Sequence, residues 1–374
     1  MINTNIQNIF KTYGPQYIKT YKLSKEQWKV YNSIINCKTS HLGMHTVICD
    51  KCGHRETSLN SCRNRHCPNC QSYAREKWIE KENSYILNCP YFHIVTTVPD
   101  TLNEIFLYNS KTCYDILFKA TSDSILELAK DPKCLGAKVG ITSILHTWGQ
   151  TISFHPHIHS IVTGGGLTDT NHWVQSKKEY LFKVQVLSSL YRGKFLSMLK
   201  QAKLNFPKDK QYLNDPIEFN RFLTPLYEQT WITYIEPPKG SPENVIEYIG
   251  RYAFRVAISN ERLKDISNGK VTFEYKDYKD NSKIKEMTIT AEEFIRRFLM
   301  HVLPYKFTKI RHYGLLANRN KKSIIKLCRI LLKTIVNNDF TITITRKVKE
   351  LVCPDCGGKH FSYKYNYSSL HRLC

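Results

Sequence analysis

LHTWGQTISFHPHIHSIVTGGG, residues 145–166, is the stretch from which the fold and most of the chemistry can be read. Side chains alternate faces along a strand, so Ile152, Phe154, Ile158 and Val162 fall on one side while His155, His157 and His159 fall on the other. Such an apolar side covers a core and leaves the imidazoles facing an open cleft. Pro156 has no N–H to give a ladder, so it marks an edge or bulge that turns His155 away. His157 and His159 are then the candidate metal pair. On the preceding strand His146, Trp148 and Gln150 share one parity. Either His146 or Gln150 is placed to be a third ligand, with His146 favoured because imidazole completes a site more firmly. Strands are predicted over 139–148 and 151–163, closed by a turn at Gly164-Gly165-Gly166.

Working outward, Tyr91–Val98 is β-branched, of strand length and stopped by Pro99. Short helices are predicted within 1–36, and longer ones from Lys77, over 103–130 and over 184–205. Ser241-Pro242-Glu243 supplies an N-cap and a first-turn proline for a helix that carries Tyr248 and Tyr252. Strands near 271–276 and 286–290 precede a helix at 291–302. The expected class is α+β: a central antiparallel sheet with flanking helices, preceded by a small zinc-stapled module. The domains read as 1–78 (helical lead and zinc binding), 79–320 (the histidine sheet and tyrosine helix) and 321–374 (basic helix and tail).

Tyr248 and Tyr252 lie four apart, on one helix face. With 23 tyrosines in the chain, that spacing alone is equally the mark of a core helix. Arg251 and Arg255 beside them suit a scissile phosphate or a phenolate. A phenol of pKa near ~10 needs a cation and a metal-polarised phosphate to become an effective nucleophile. Paired imidazoles with paired phenols thus point to cutting a DNA strand through a phosphotyrosine.

The 55 Lys and Arg against 32 Asp and Glu leave a net charge of +23, which implies a polyanionic partner, nucleic acid first. From Phe294 to Asn338 there are eleven basic residues and no acidic one, among them Arg296, Arg297, Lys309 and Arg311. This segment is expected to grip phosphates. No run approaches the ~20 apolar residues of a membrane span, and the polar start MINTNIQNIFKTYGPQYIK lacks a secretory apolar region. A cytoplasmic setting follows, in which the 13 cysteines serve metal binding rather than disulfides. Cys49-x2-Cys52 and Cys67-x2-Cys70, fourteen residues apart, have the spacing of one four-thiolate zinc site. Cys37, Cys62 and His66, with a further histidine, are candidates for a second tetrahedron. Cys353-x2-Cys356 with His371-x2-Cys374 is a third.

The order of these blocks resembles the rolling-circle insertion-sequence transposases, members of the HUH (His-hydrophobic-His) endonucleases. It comprises the CxxC knuckles, SCRNRHCPNCQ, a strand ending in TVP, the histidine stretch, YIGRYAFRVAISNERL and IRRFLMHVLPYKFTKIRHYGLLANR. The resemblance runs from about Cys37 to Asn318, and HPHIH and YIGRY are its most specific parts. It implies an N-terminal transposase zinc-binding domain, Mg2+ or Mn2+ on His157 and His159, and Tyr248 and Tyr252 as nucleophiles. Some relatives keep one catalytic tyrosine. The implied partner is DNA, mainly single-stranded or hairpin ends, with Tyr305, Phe307 and Tyr313 stacking on unpaired bases. The rival reading is a zinc-dependent DNA-binding regulator without catalysis, which leaves the HPHIH strand without a purpose.

Overall fold

The computed structural model describes residues 5–177, 180–237, 250, 253–254, 257–332 and 352–366. Among them are twelve strands: β1 (Met44–Cys49), β2 (Arg55–Leu59), β3 (Tyr91–Thr97), β4 (Lys138–Trp148), β5 (Phe154–Leu167), β6 (Trp173–Gln175), β7 (Thr233–Glu236), β8 (Leu263–Ser267), β9 (Lys270–Asp277), β10 (Lys283–Thr290), β11 (Ile310–Gly314) and β12 (Phe361–Asn366). Every named pairing is antiparallel, and helices flank the sheets, which is the expected α+β class. The chain forms two compact units. One has the bounds Met1–Glu76, Phe254–Val302 and Asp339–Cys374, the other Lys77–Ala253 and Leu303–Asn338. These are not the three linear segments read from the sequence.

Within the first unit the reason is packing between distant segments. The helix Ala291–Met300 places Phe294, Ile295, Phe298 and Leu299 on one buried face. Phe298 meets Phe10 of the helix Ile6–Thr20 edge to face at 5.2 Å. The second helix, Lys25–Asn36, starts at a reciprocal cap: the Gln27 N–H donates to Ser24 Oγ (3.2 Å) and the Ser24 N–H to Gln27 Oε1 (3.0 Å). Two three-stranded sheets complete the unit, in the orders β12-β1-β2 and β10-β9-β8.

The second unit is built on a sheet of order β11-β4-β5-β3-β7, with β6 paired to β5. Phe92, Ile94, Val139, Ile141 and Val162 form a core with Ile125 and Leu128 of the helix Ser110–Lys130 and Leu187 of the helix Val184–Gln201. Fully burying each such side chain contributes roughly 1.5–3 kcal/mol. The 3.6-residue period sets the long helix's buried stripe, and Thr121 donates or accepts a 2.7 Å hydrogen bond with Thr96 on the same sheet face. The helix stops at Asp131, whose N–H reaches the Glu127 and Leu128 carbonyls, with Pro132 next.

Two details of the key stretch depart from the sequence reading. First, Gly164, Gly165 and Gly166 do not turn the chain; they lie inside β5. A Cβ on Gly164 would meet the Pro90 carbonyl oxygen at 2.9 Å, one on Gly165 the Trp173 ring at 2.5 Å, and one on Gly166 the Lys138 carbonyl oxygen at 2.4 Å. The glycines permit close approach of neighbouring backbone, a use of glycine in strands that composition does not distinguish from a turn. Second, the strand begins at Phe154. Residues 149–153 make the connection, where the Gly149 N–H donates to the Ser153 carbonyl. Ile152 is wholly buried there with φ +59°, a conformation that β-branched residues rarely adopt.

Candidate active site and metal centres

Register brings the histidines together. His146 on β4 stands opposite His157 on β5, and His159 is two residues further along the same face. One ligand atom from each of His146, His157 and His159 lies within 4.8 Å of the others, little more than the about 4.2 Å that two metal–nitrogen bonds span. The burial pattern of β5 alternates through this segment as the parity predicts, with Phe154, Pro156 and Ile158 buried and the histidines partly open. Pro156 lies one residue beyond the last pair with β3 (Thr97–His157) and beside the register irregularity between His146 and Trp148, so no ladder N–H is missed. His155 is outside the cluster, its Nδ1 3.5 Å from Asp100.

The hydrogen bonds orient two of the rings. The His157 Nδ1–H donates to the His155 carbonyl at 2.6 Å, leaving the ring's lone pair on Nε2. His93 on β3, which the sequence reading passed over, lies between Glu236 and His159. The Glu236 carboxylate only accepts, so His93 Nδ1 carries a proton toward it (3.1 Å). His93 Nε2 lies 2.8 Å from His159 Nδ1, and when His93 accepts there the His159 lone pair is on Nε2. The signal for His93 was a histidine at an alternate position of a β-branched strand. Burial, then the neighbouring His155, pushes the His157 imidazole down to about 3, and burial drives His159 well below the usual range. Both rings are therefore neutral near pH 7, the form that binds metal. Lys309 lies over the Trp148 ring at 4.7 Å, and Trp148 stacks on His146 at 4.9 Å, so a cation stands beside the cluster.

Tyr248, Arg251, Tyr252 and Arg255 lie outside the described residues. Between the tyrosines, Gly250 is buried, and a Cβ there would meet Ile79 at 2.5 Å.

The cysteines form two four-thiol groups, but not in the expected pairing. Cys37, Cys62, Cys67 and Cys70 make one, and Cys49, Cys52, Cys353 and Cys356 the other. The two knuckles are kept apart by the β1–β2 hairpin. Cys49 and Cys52 are at its turn, whereas Cys37 and Cys62 flank its open end, where Met44 pairs with Leu59. A strand of that length separates the ends by roughly 17 Å. His66 is not among the four ligands of its cluster, because Cys70 takes that place. His371 and Cys374 lie outside the described residues. Sulfur separations of 3.5–3.6 Å in both groups approach the about 3.8 Å edge of a tetrathiolate zinc tetrahedron. Packed thiols share protons: hydrogen bonds from Cys62 and Cys67 pull Cys37 down to about 7, and bonds from Cys37 and Cys62 take Cys70 lower still. Cys62 and Cys67 are pushed up.

A family model described as "Putative transposase" matches residues 140–323, and one described as "Transposase zinc-binding domain", of the IS91 type, matches residues 9–98. The chain is 44% identical over 333 residues to the "Putative transposase y4qJ" of Sinorhizobium fredii, covering 87% of this chain and 84% of that protein. The chain belongs to the IS91-type insertion-sequence transposases. It is also 30% identical over 296 residues to the "Transposase for insertion sequence element IS801" of Pseudomonas savastanoi pv. phaseolicola, covering 76% of this chain and 69% of that one. No solved structure matches it.

The acid-free segment of this transposase finds its carboxylates elsewhere in sequence. Arg296 and Arg297 both bond Glu293, at 2.6 and 2.7 Å. Arg311 pairs with Asp115 and lies over the Phe118 ring at 4.2 Å. Lys321 is buried, 3.1 Å from Glu82. The segment is also divided between the two units. Phe307, expected to stack on bases, is instead a core residue against Tyr114 at 5.5 Å, and Tyr313 packs partly buried on the sheet core. Tyr305 is exposed, with Lys306 over its ring. Among the described residues no helix is long and apolar enough to cross a membrane.

Proposed function

We propose that this transposase nicks and rejoins single DNA strands through a 5′-phosphotyrosine, with Tyr248 and Tyr252 as nucleophiles and His146, His157 and His159 holding a divalent cation. The observation that carries the reading is the triad of imidazoles converging on one face of the sheet, with the His157 Nε2 lone pair freed by the Nδ1–H bond to a backbone carbonyl. Three imidazoles, with no carboxylate in their group among the described residues, suit Mn2+ better than Mg2+. When bound, the ion supplies Lewis acidity toward the scissile phosphate. The phenol oxygen forms a bond to phosphorus and gives up its proton to water, while the bond from phosphorus to the 3′ oxygen breaks and that oxygen takes a proton from water, giving a free 3′-OH. Energy of the phosphodiester is kept in the new ester, so the strand can be rejoined without an external source. Arg251, Arg255 and Lys309 serve to bind the phosphates, and Cys37, Cys62, Cys67 and Cys70 to hold a structural zinc. The setting is the cytoplasm, and the DNA is single-stranded or hairpin element ends.

The deciding experiment incubates the protein with labelled single-stranded DNA from the ends of its own element and Mn2+, followed by a denaturing gel. A covalent protein–DNA band is expected, lost in the Tyr248→Phe, Tyr252→Phe double variant. A band that survives both changes assigns the nucleophile elsewhere, and no band with any end sequence removes the nuclease reading.

His93 adds a second expectation. As the acceptor that orients His159, it is a positioning residue, and His93→Ala should weaken Mn2+ binding about 10- to 100-fold, measured by the paramagnetic resonance of free Mn2+. His93→Gln keeps an acceptor and should recover most of that loss. Unchanged affinity in His93→Ala would show the relay to be idle.

A further inference from the structure

We infer that a second zinc ion, held by Cys49, Cys52, Cys353 and Cys356, fastens the C-terminal strand to the N-terminal hairpin, so that the two ends of the chain make one zinc-ribbon module. The zinc-binding family match ends at residue 98, and Cys353 and Cys356 lie far beyond it. The inference is independent of the strand-nicking chemistry.

Three observations support it. The donor set is complete: one sulfur from each of the four cysteines lies within 4.8 Å of the others, with Cys49 Sγ 3.6 Å from Cys356 Sγ and Cys52 Sγ 3.5 Å from Cys353 Sγ. Four free thiols brought so close, with no disulfide among them, have the chemistry of a tetrathiolate site.

The two knuckles are also built alike. In the first, CDKCGH, the Gly53 N–H donates to the Cys49 carbonyl at 2.8 Å and the Cys49 N–H to the His54 carbonyl at 2.8 Å. In the second, CPDCGG, the Gly357 N–H donates to the Cys353 carbonyl at 2.9 Å and the Cys353 N–H to the Gly358 carbonyl at 2.9 Å. Gly53 and Gly357 occupy the same place after the second cysteine, with φ of +77° and +66°, which glycine adopts without strain. The same turn has thus been made twice, three hundred residues apart, and its cysteines face one another. Gly358 is needed for the approach, since a Cβ there would lie 3.2 Å from both Cys49 Sγ and Cys356 Sγ.

The surrounding backbone is joined independently of any metal. β12 pairs antiparallel with β1 along its full length, from Met44–Asn366 to Cys49–Phe361. The Asp50 N–H donates to the His360 carbonyl at 3.0 Å, Ser362 Oγ donates to Asp50 at 2.6 Å, and His54 Nδ1 lies 2.6 Å from Asp355. The metal would close a very long loop, where cross-links restrict the unfolded chain most.

The test is the zinc content of the purified full-length chain by elemental analysis. Two zinc ions per chain are expected, falling to one in Cys353→Ser, Cys356→Ser, and falling to one in Cys62→Ser, Cys67→Ser. One zinc in the unmutated protein, or two retained after the C-terminal pair is changed, overturns the inference. If the C-terminal variant loses both ions through misfolding, the unmutated protein decides. Loaded with 113Cd, it should give two separate resonances in the tetrathiolate range, and a single resonance overturns the second site.

Discussion

Replacing His157 with alanine is expected to lower DNA cleavage at least about 1000-fold while leaving DNA binding within about twofold. The first figure follows from the several kcal/mol that metal charge stabilisation gives a transition state, at 1.36 kcal/mol per tenfold in rate. The second follows from the location of the ring: it is on a sheet face among His146 and His159, with its Nδ1 committed to a backbone carbonyl. Its removal deletes a proposed ligand without deleting a surface cation. His155→Ala is the matched control. That ring is 5.3 Å away, centroid to centroid, but outside the cluster, and the carbonyl that orients His157 survives the change. Less than a tenfold loss is expected. Cleavage of end-labelled single-stranded DNA with Mn2+, alongside fluorescence anisotropy for binding, separates the two effects. If His157→Ala keeps a tenth of the activity, or His155→Ala is equally damaging, the three-histidine site is not the reacting centre.

What could be read from the sequence follows a physical pattern. The alternation through Phe154–His159 is local, and a period of two survives in any register, so the faces of β5 and the direction of its histidines were legible. Choosing His146 as the companion needed only the parity of the next strand, and the register places it opposite His157. His93 needed more: a third strand, β3, and the knowledge that it runs beside β5 with His93 facing Ile161, close enough for its ring to reach His159. The glycine run misled because close backbone approach and turning demand the same residue. The cysteine pairing misled because spacing in sequence hides a hairpin. β1 and β2 carry the two CxxC knuckles to opposite ends, and the partner of the first is near residue 355. The acid-free basic segment was a true count, yet charge balance is a spatial property: Glu293, Asp115 and Glu82 all lie outside it in sequence. The tyrosines are in a different position. Their proposed role rests on the family and on chemistry, and the adduct assay is its test.

Changing Cys67 to serine should remove one zinc and release the stretch Asn60–Cys70 without melting the helices of its unit. That stretch reads NSCRNRHCPNC and contains no large apolar side chain. It cannot bury enough surface to order itself. Its own backbone bonds are few, chiefly Cys67 N–H to the Asn64 carbonyl at 3.0 Å and Cys70 N–H to the Cys67 carbonyl at 3.1 Å, and Arg63 is held at φ +53°. Yet Cys37 and Cys67 are fully buried. Metal ligation is the force large enough to close such a segment: zinc binding to small cysteine modules is worth on the order of 10 kcal/mol, and that binding energy is folding energy. The helical part of the unit does not share this dependence, because Ile6, Ile9, Phe10, Ile34, Phe294 and Phe298 are all buried and Phe10 packs directly on Phe298. Cys67→Ser should therefore keep its far-ultraviolet circular dichroism nearly unchanged. Trypsin should cut after Arg63 and Arg65 at least about 100-fold faster, since the opening free energy of the segment falls toward zero. Zinc content should drop by one ion per chain, and treatment of the unmutated protein with a chelator should reproduce the new cleavage sites. A variant that loses its zinc yet stays resistant at both arginines would show that hydrogen bonds and burial alone hold the segment, and one that keeps its zinc would show that Cys67 is no more than a buried thiol.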